Sequence, residues 1–412
     1  MNLIERELRQ SFDFFWEQAN RDPDSPGYGL VVDDTGKPDI ASIASVGFGL
    51  SAIVIGVENG YITRAEGLDA ARRTLSTFVS TIPEFKGFFM HFTMIRTGLP
   101  RRKCEYSTID TAIFLNGALT CDAYFDDAEI RRLFRLVYDR VDWNAFVFDY
   151  KGNPTFRMAY NPEEGGDYRQ HSRDPWIWQW EMTAEQLSLY FLAAGSDAVP
   201  ATLAKALYDG FRKPRGSYAG IEYVYSPGNA LFVYQYSHAW IDFSRILDAD
   251  GFDWAENTRR ATYANREWCI RHADRHPIFG EDMWGITACL TPKGYRNQGA
   301  LPTDLLDHPD GHTEGVVPPS GPAGSICFAP EIVIPALEHM AKTYPAALGR
   351  YGFTDGIALT KDGPWVAKDY IGINKGITVL MLDNYLHGTI WKLTMNHPLI
   401  RRAIAKLGFT ER

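Results

Sequence analysis

Apolar positions recur at helical spacing along almost the whole chain. Residues 2–20 place Leu3, Ile4, Leu8, Phe12, Phe15 and Trp16 on one stripe with charges opposite, the pattern of an amphipathic helix. Residues 41–57 are small and apolar on every side, which predicts a helix touching protein all round. The two patterns then alternate. Segments 64–80, 127–141, 200–210, 254–273 and 397–408 read as outward-facing helices, and 108–125, 184–195, 233–246, 331–342 and 376–393 as buried ones. About twelve helices of alternating character predict an all-α fold, a double ring of the (α/α)6 barrel type. Strand signals are few, with 146–150 and 218–225 expected as small hairpins. Loop-rich stretches at 81–107, 150–180, 211–230, 276–330 and 352–372 each lie between an exposed helix and the next buried one. In a double ring such connections share one rim, whereas the stretch 21–40 falls outside this rule. No Pro/Gly/Ser linker and no internal repeat divides the chain, so residues 1–412 are expected to form one domain.

Charge narrows the partners. The net charge is −9 with no long block of like sign, which disfavours nucleic acid and anionic membranes. No run reaches the ~18 apolar residues that a membrane span needs. The first residues, MNLIERELRQ, lack the apolar core of a signal peptide, so the expected location is cytoplasmic, or periplasmic if a leader has been removed. The expected assembly is a monomer or weak homodimer. Five cysteines (Cys104, Cys121, Cys269, Cys289, Cys327) are scattered and form no CxxC pair, so neither a disulfide framework nor a zinc knuckle is indicated. Aromatic residues make up 14% of the chain, with 11 tryptophans. Most must fill the core, but rings are also the usual platform for the apolar faces of sugars.

The candidate chemistry sits on the predicted rim. In QHSRDPWIWQWEMTAEQ (170–186), Trp176, Trp178 and Trp180 run into a helix start carrying Glu181 and Glu185. Acids four apart share a helical face and suit a helix N-terminus, and a plain capped helix start explains them equally well. His91 and Glu105 lead into Ser107 and Asp110, which capping alone would explain. YQYSHAWID (234–242) offers Tyr236, His238, Trp240 and Asp242; GEDMWG (280–285) offers Glu281 and Trp284. DGHTEG (310–315) holds His312 and Glu314, and WVAKDYIGINKG (365–376) holds Asp369 and Asn374. HExxH, EF-hand, dinucleotide, P-loop and GxSxG patterns are absent, so no metal or cofactor is expected. Carboxylates and aromatics from several loops are what glycoside hydrolysis requires: one acid with a raised pKa and one carboxylate to activate water or to attack.

Ordered segments strengthen this reading. YQYSHAWIDF (234–243), AENTRRATYANREWCI (255–270), GEDMWGITAC (280–289), FAPE (328–331), YGFTD (351–355) and DNYLHGTIWK (383–392) resemble the bacterial glycoamylase domain family. SFDFFWE (11–17), SVGFGL (45–50) and STIDTAIFLNGALT (107–120) extend the match almost end to end. The resemblance implies an (α/α)6 barrel and activity on β-1,2-glucans of endo or exo type, with transglycosylation also known in the family. It places the general acid at Glu185, in AEQLSLYFLAAGSD (184–197), and gives Asp110 a substrate-contacting role. At IGINKG (371–376) the chain departs from the family's IGIDQG-like pattern, so Asn374 stands where the resemblance implies a general base.

An amide accepts no proton at neutral pH, so another carboxylate is needed: Asp369 is the first choice, ahead of Asp242 and Glu314. The expected function is hydrolysis of β-glucan or its oligosaccharides, most of all β-1,2-linked glucose. Trp178, Trp180, Glu181, Tyr236, His238, Trp240, Asp242, Glu281, Trp284, Glu314 and Asn374 are the expected substrate contacts. A retaining transglycosylase, or a sugar-binding protein that has lost its base, is the alternative.

Overall fold

The computed structural model of the protein describes residues 1–101, 103–226, 228–300 and 313–412. The described residues hold fourteen α-helices, two of them a single turn. The two predicted kinds are evident. In Ile43–Glu58 every side chain from Ile43 to Gly56 is buried, and all nine residues of Leu187–Gly195 are buried. Thr108–Phe125 and Gly372–Leu386 are buried along most of their length. By contrast Leu3–Glu17, Arg64–Ser80, Ala128–Tyr138, Ala201–Gly210, Trp254–Arg271 and Pro398–Leu407 each bury one face and keep the other wet.

Glycines set how closely the buried helices approach. A Cβ on Gly117 would lie 2.0 Å from the carbonyl oxygen of Gly47, so these two helices cross backbone to backbone. Gly376 meets the Phe48 ring in the same way, at 2.2 Å. One continuous apolar cluster runs from Ile4 to Phe409.

Three expectations need correction. Segment 233–246 is not one helix but a turn of α-helix, Phe232–Gln235, followed by 3-10 turns at Tyr236–Ala239 and Phe243–Arg245. The carbonyls of His238, Ala239 and Trp240 accept hydrogen bonds from the side chains of Trp391, Asn384 and Thr394, which take the place of helical N–H donors. Segment 376–393 is two helices, Gly372–Leu386 and Thr389–Asn396, separated by Gly388 at φ 65°. The helix at 331–342, Pro330–Thr343, buries only one stripe, and the fully buried turn beside it is Ser320–Ala323.

The rim also carries more strand than its loop-like sequence suggests. Asn153–Tyr160 forms an eight-residue strand that pairs with Val147–Tyr150, Tyr106–Ser107 and Trp176–Gln179. A hairpin of Ile357–Thr360 and Gly363–Val366 lies within 352–372.

These short strands deliver the chain to the buried helices at one end. Ser42, Ser107 and Ile371 immediately precede three of those helices, and Glu185 lies two residues before the start of the fourth. The stretch 21–40 joins the same rim after all, because Asp34 bridges to Ile371 and the Gly372 N–H donates to the Asp33 carbonyl at 2.7 Å. No helix among the described residues is long and apolar enough to cross a membrane.

Candidate active site

Where the four helix starts converge, a cavity of about 540 Å3 opens. Its wall carries five carboxylates, Asp33, Asp34, Glu105, Asp110 and Glu185, and three cationic side chains, Lys37, His91 and Arg101. Aromatic rings complete it, among them Tyr168, Trp178, Trp180, Tyr236 and Tyr295.

Glu185 is fixed through its backbone. Ser237 Oγ donates to the Glu185 carbonyl at 2.7 Å and accepts from the Ser188 N–H at 2.9 Å. This pins the last turn before the helix Leu187–Gly195 and leaves the carboxyl half-buried in the cavity wall. Burial pushes that carboxyl up to about 7, and the Asp110 charge adds to the rise. Glu185 can therefore still hold its proton near neutral pH.

Asp110 lies in the first turn of Thr108–Phe125, where Ser107 caps the helix and its hydroxyl also donates to the Asp110 carboxylate. His91 sits between two acids, with Nδ1 2.8 Å from Glu105 Oε1 and Nε2 3.4 Å from Asp110 Oδ1. Burial alone would lower its pKa, but the two carboxylates outweigh that and hold it at about 9, so the ring is an imidazolium at neutral pH. Asp33 is pushed up to about 6 by burial and by Asp34 and Asp110, against the pull of His91 and Lys37. Asp34, by contrast, is tied down by the Gly36 N–H at 2.9 Å and Lys37 Nζ at 3.0 Å.

Of the residues singled out from the sequence, His91, Glu105, Ser107, Asp110, Trp178, Trp180, Glu185 and Tyr236 meet in this cavity. The others lie elsewhere, each for a visible reason. Asp369 accepts from the Thr35 hydroxyl at 2.9 Å and does not line the cavity. Asp242 caps a 3-10 turn through the Ser244 N–H. Glu314 pairs with Lys293 at 3.5 Å, and Glu181 with Arg212 at 3.4 Å. His238 is buried against the Thr258 hydroxyl at 2.9 Å, and desolvation lowers its pKa to about 3, so it is neutral. Trp240 and Trp284 are core residues, the former donating to Ser51 Oγ at 2.9 Å. Glu281 is exposed away from the cavity. Asn374 is buried behind the wall, donating to the Ala288 carbonyl and to Asp355. His312 lies outside the described residues.

Asp33, Asp34, Lys37, Arg101, Tyr168 and Tyr295 were not singled out from the sequence. The adjacent pair Asp33–Asp34 in a polar loop was the one available signal. It loses its force when 21–40 is assigned away from the rim.

Cys104, Glu105 and Asp167 bring donor atoms within 4.8 Å of one another. Burial pushes the Cys104 thiol far up, so it stays protonated, while His91 and Arg101 already offset the two carboxylates. Such a set is poorly suited to a cation.

Comparison with known proteins places this geometry. Residues 177–398 match the glycoamylase family model, described as "putative glucoamylase". An exo β-1,2-glucooligosaccharide sophorohydrolase (non-reducing end) of Parabacteroides distasonis is 25% identical over 98% of the chain. The chain spans 57% of the length of that relative. A solved protein from Bacteroides fragilis carrying the same glucoamylase description superposes with a TM-score of 0.84 at 28% identity, over 100% of this chain and 97% of that one. An endo-β-1,2-glucanase from Chitinophaga pinensis, solved with sophorotriose and glucose, gives 0.84 at 24% identity over 99% and 98% of the two chains, a likeness of fold.

Proposed function

The chain belongs to the glycoamylase family, and on that footing we propose that it is a glycoside hydrolase cleaving β-1,2-linked glucan or its oligosaccharides. Its architecture in this reading is a single (α/α)6 barrel over residues 1–412, with the cavity at one end. The observation that carries the proposal is Glu185, a half-buried carboxyl raised to about 7 in a cavity walled by aromatic rings and further carboxylates.

The chemistry follows from the two kinds of carboxyl. Protonated Glu185 delivers its proton to the glycosidic oxygen as the bond from C1 to that oxygen breaks. Burial keeps that proton on Glu185 near neutral pH, and the neighbouring Asp110 carboxylate adds to the effect. Asp33 serves as base. Its carboxylate has no hydrogen-bond partner among the described residues, and at about 6 it is largely ionised at pH 7. It takes a proton from water as the oxygen of that water bonds to C1. Asp33 supplants Asp369 in this role because it lines the cavity. Trp178, Trp180 and Tyr236 hold the apolar faces of the sugar rings.

The relative from P. distasonis acts on β-1,2-glucooligosaccharides by its name, and that linkage is the one proposed here. The test is to incubate the protein with β-1,2-, β-1,3-, β-1,4-, β-1,6- and α-linked glucans and measure new reducing ends. Turnover confined to the β-1,2 series, and abolished by Glu185→Gln with oligosaccharide still bound, is the expected result. Turnover that survives Glu185→Gln refutes the assignment. Asn374 motivates a second reading, transfer to a sugar acceptor. Product anomers followed by NMR with and without added acceptor separate transfer from hydrolysis.

A further inference from the structure

Tyr168 and Trp178 stand apart from the other rings of the cavity. Trp180 and Tyr236 are 4% and 5% exposed, and the Trp180 indole donates inward to Thr108 at 3.0 Å. Tyr168 and Trp178 are 52% and 61% exposed, yet both line the cavity, and their rings contact each other edge to face at 5.5 Å and 64°.

Both also have left-handed backbone, at φ 61° for Tyr168 and 32° for Trp178. Bulky residues rarely adopt such angles, and where they do the surrounding structure must enforce it. The enforcement is visible on each side. Before Tyr168, Asp167 pairs with Arg101 at 3.2 Å, and its carbonyl accepts from buried Asn161 at 3.0 Å. After it, buried Arg169 donates to the Asn161 carbonyl at 2.8 Å. Trp178 is held between Ile177 and Gln179, which register against Ala159 and Arg157 of the neighbouring strand. A fold needing only a turn at these two positions is better served by glycine or asparagine. Instead, strain is accepted to aim two exposed rings at the mouth of the cavity.

Resting on the hydrolase reading above, we infer that Tyr168 and Trp178 form a preorganised stacking platform for a glucosyl unit remote from the cleaved bond, and so set the chain length the site prefers. Rings rigidly held before binding lose little freedom when a sugar stacks on them. A unit beyond the platform's reach gains nothing from it, so its effect must depend on oligosaccharide length.

The experiment measures KM and kcat of wild type, Tyr168→Ala, Trp178→Ala and Trp178→Phe on β-1,2-gluco-oligosaccharides of increasing length, with melting temperature alongside. For the longest substrates the alanine variants raise KM about tenfold, with a smaller effect on kcat. The KM penalty shrinks as the chain shortens, and Trp178→Phe recovers most of the loss. Melting temperature stays level, since alanine keeps the Cβ that strains these angles and only exposed ring surface is lost. Binding of the same series to Glu185→Gln protein, by calorimetry, separates the two ideas. Length-dependent binding without wild-type turnover overturns the hydrolase reading alone. Penalties equal at every length, or absent, overturn the platform alone, and binding at no length overturns both.

Discussion

Asn374 Nδ2 donates to Asp355 Oδ1 at 2.7 Å and to the Ala288 carbonyl at 2.9 Å, so the residue standing where the family resemblance implies a base spends its polar hydrogens on buried protein acceptors. Burial raises the Asp355 carboxyl to about 7, even though Asn374 and the Leu290 N–H both stabilise its charge. The pair is a structural clamp behind the cavity wall.

Restoring a carboxylate there should therefore harm the protein without helping the reaction. Asn374→Asp sets two carboxyl groups in contact and leaves the Ala288 carbonyl without its donor. The folded state must keep a proton on the pair well above pH 4, where the unfolded chain has released it. Stability then falls as pH rises, by roughly 2–3 kcal/mol at pH 8 relative to wild type. Thermal unfolding at pH 5.5 and pH 8 checks this. A gain in turnover would show that position 374 reaches the substrate.

The pH profile of kcat/KM follows from the two groups assigned to the reaction. Asp33 must be ionised, so activity rises through about 6; Glu185 must be protonated, so it falls through about 7. A narrow optimum between those values is expected. Asp33→Asn should cut turnover by on the order of 10^3 with binding of oligosaccharide retained. Full activity in that variant would return the role of base to another carboxylate, Asp110 first.

His91 titrates in the opposite sense. Its folded pKa of about 9 lies above the ordinary 6.5, so the stability it contributes is fully present below pH 6.5 and is lost as pH rises through 9. His91→Gln should cost about 2–3 kcal/mol at pH 6 and little above pH 9.5. Chemical denaturation at the two pH values measures the difference. An equal cost at both would mean that His91 is held by packing and not by Glu105 and Asp110.

The helical plan was legible because burial on all sides and burial on one side leave different periodic marks in a sequence. Residues 41–57 and 64–80 show the two kinds next to each other, and both helices form within two residues of their expected ends. Helix 233–246 broke because partners more than a hundred residues away, Asn384 and Trp391, claim its carbonyls, which no local pattern reports. Glu185 and Asp110 were visible as acids at the starts of apolar helices. Asp33 was not, since its loop has no periodicity and reaches the site through pairing beside Ala41 and Ile371.

The sequence by itself determined, outside 233–246 and 331–342, which helices face water and which do not, and which acids begin the buried ones, because both depend on neighbours within a few turns. Only the tertiary structure decided which acids share a cavity. Trp240, Trp284 and His238 lie within a few residues of an acid in sequence, as Trp178 does, yet they are core while Trp178 is exposed at the cavity. The difference comes from where distant segments cross, as the helices do at Gly47 and Gly117, and from the burial that tertiary packing imposes on Glu185.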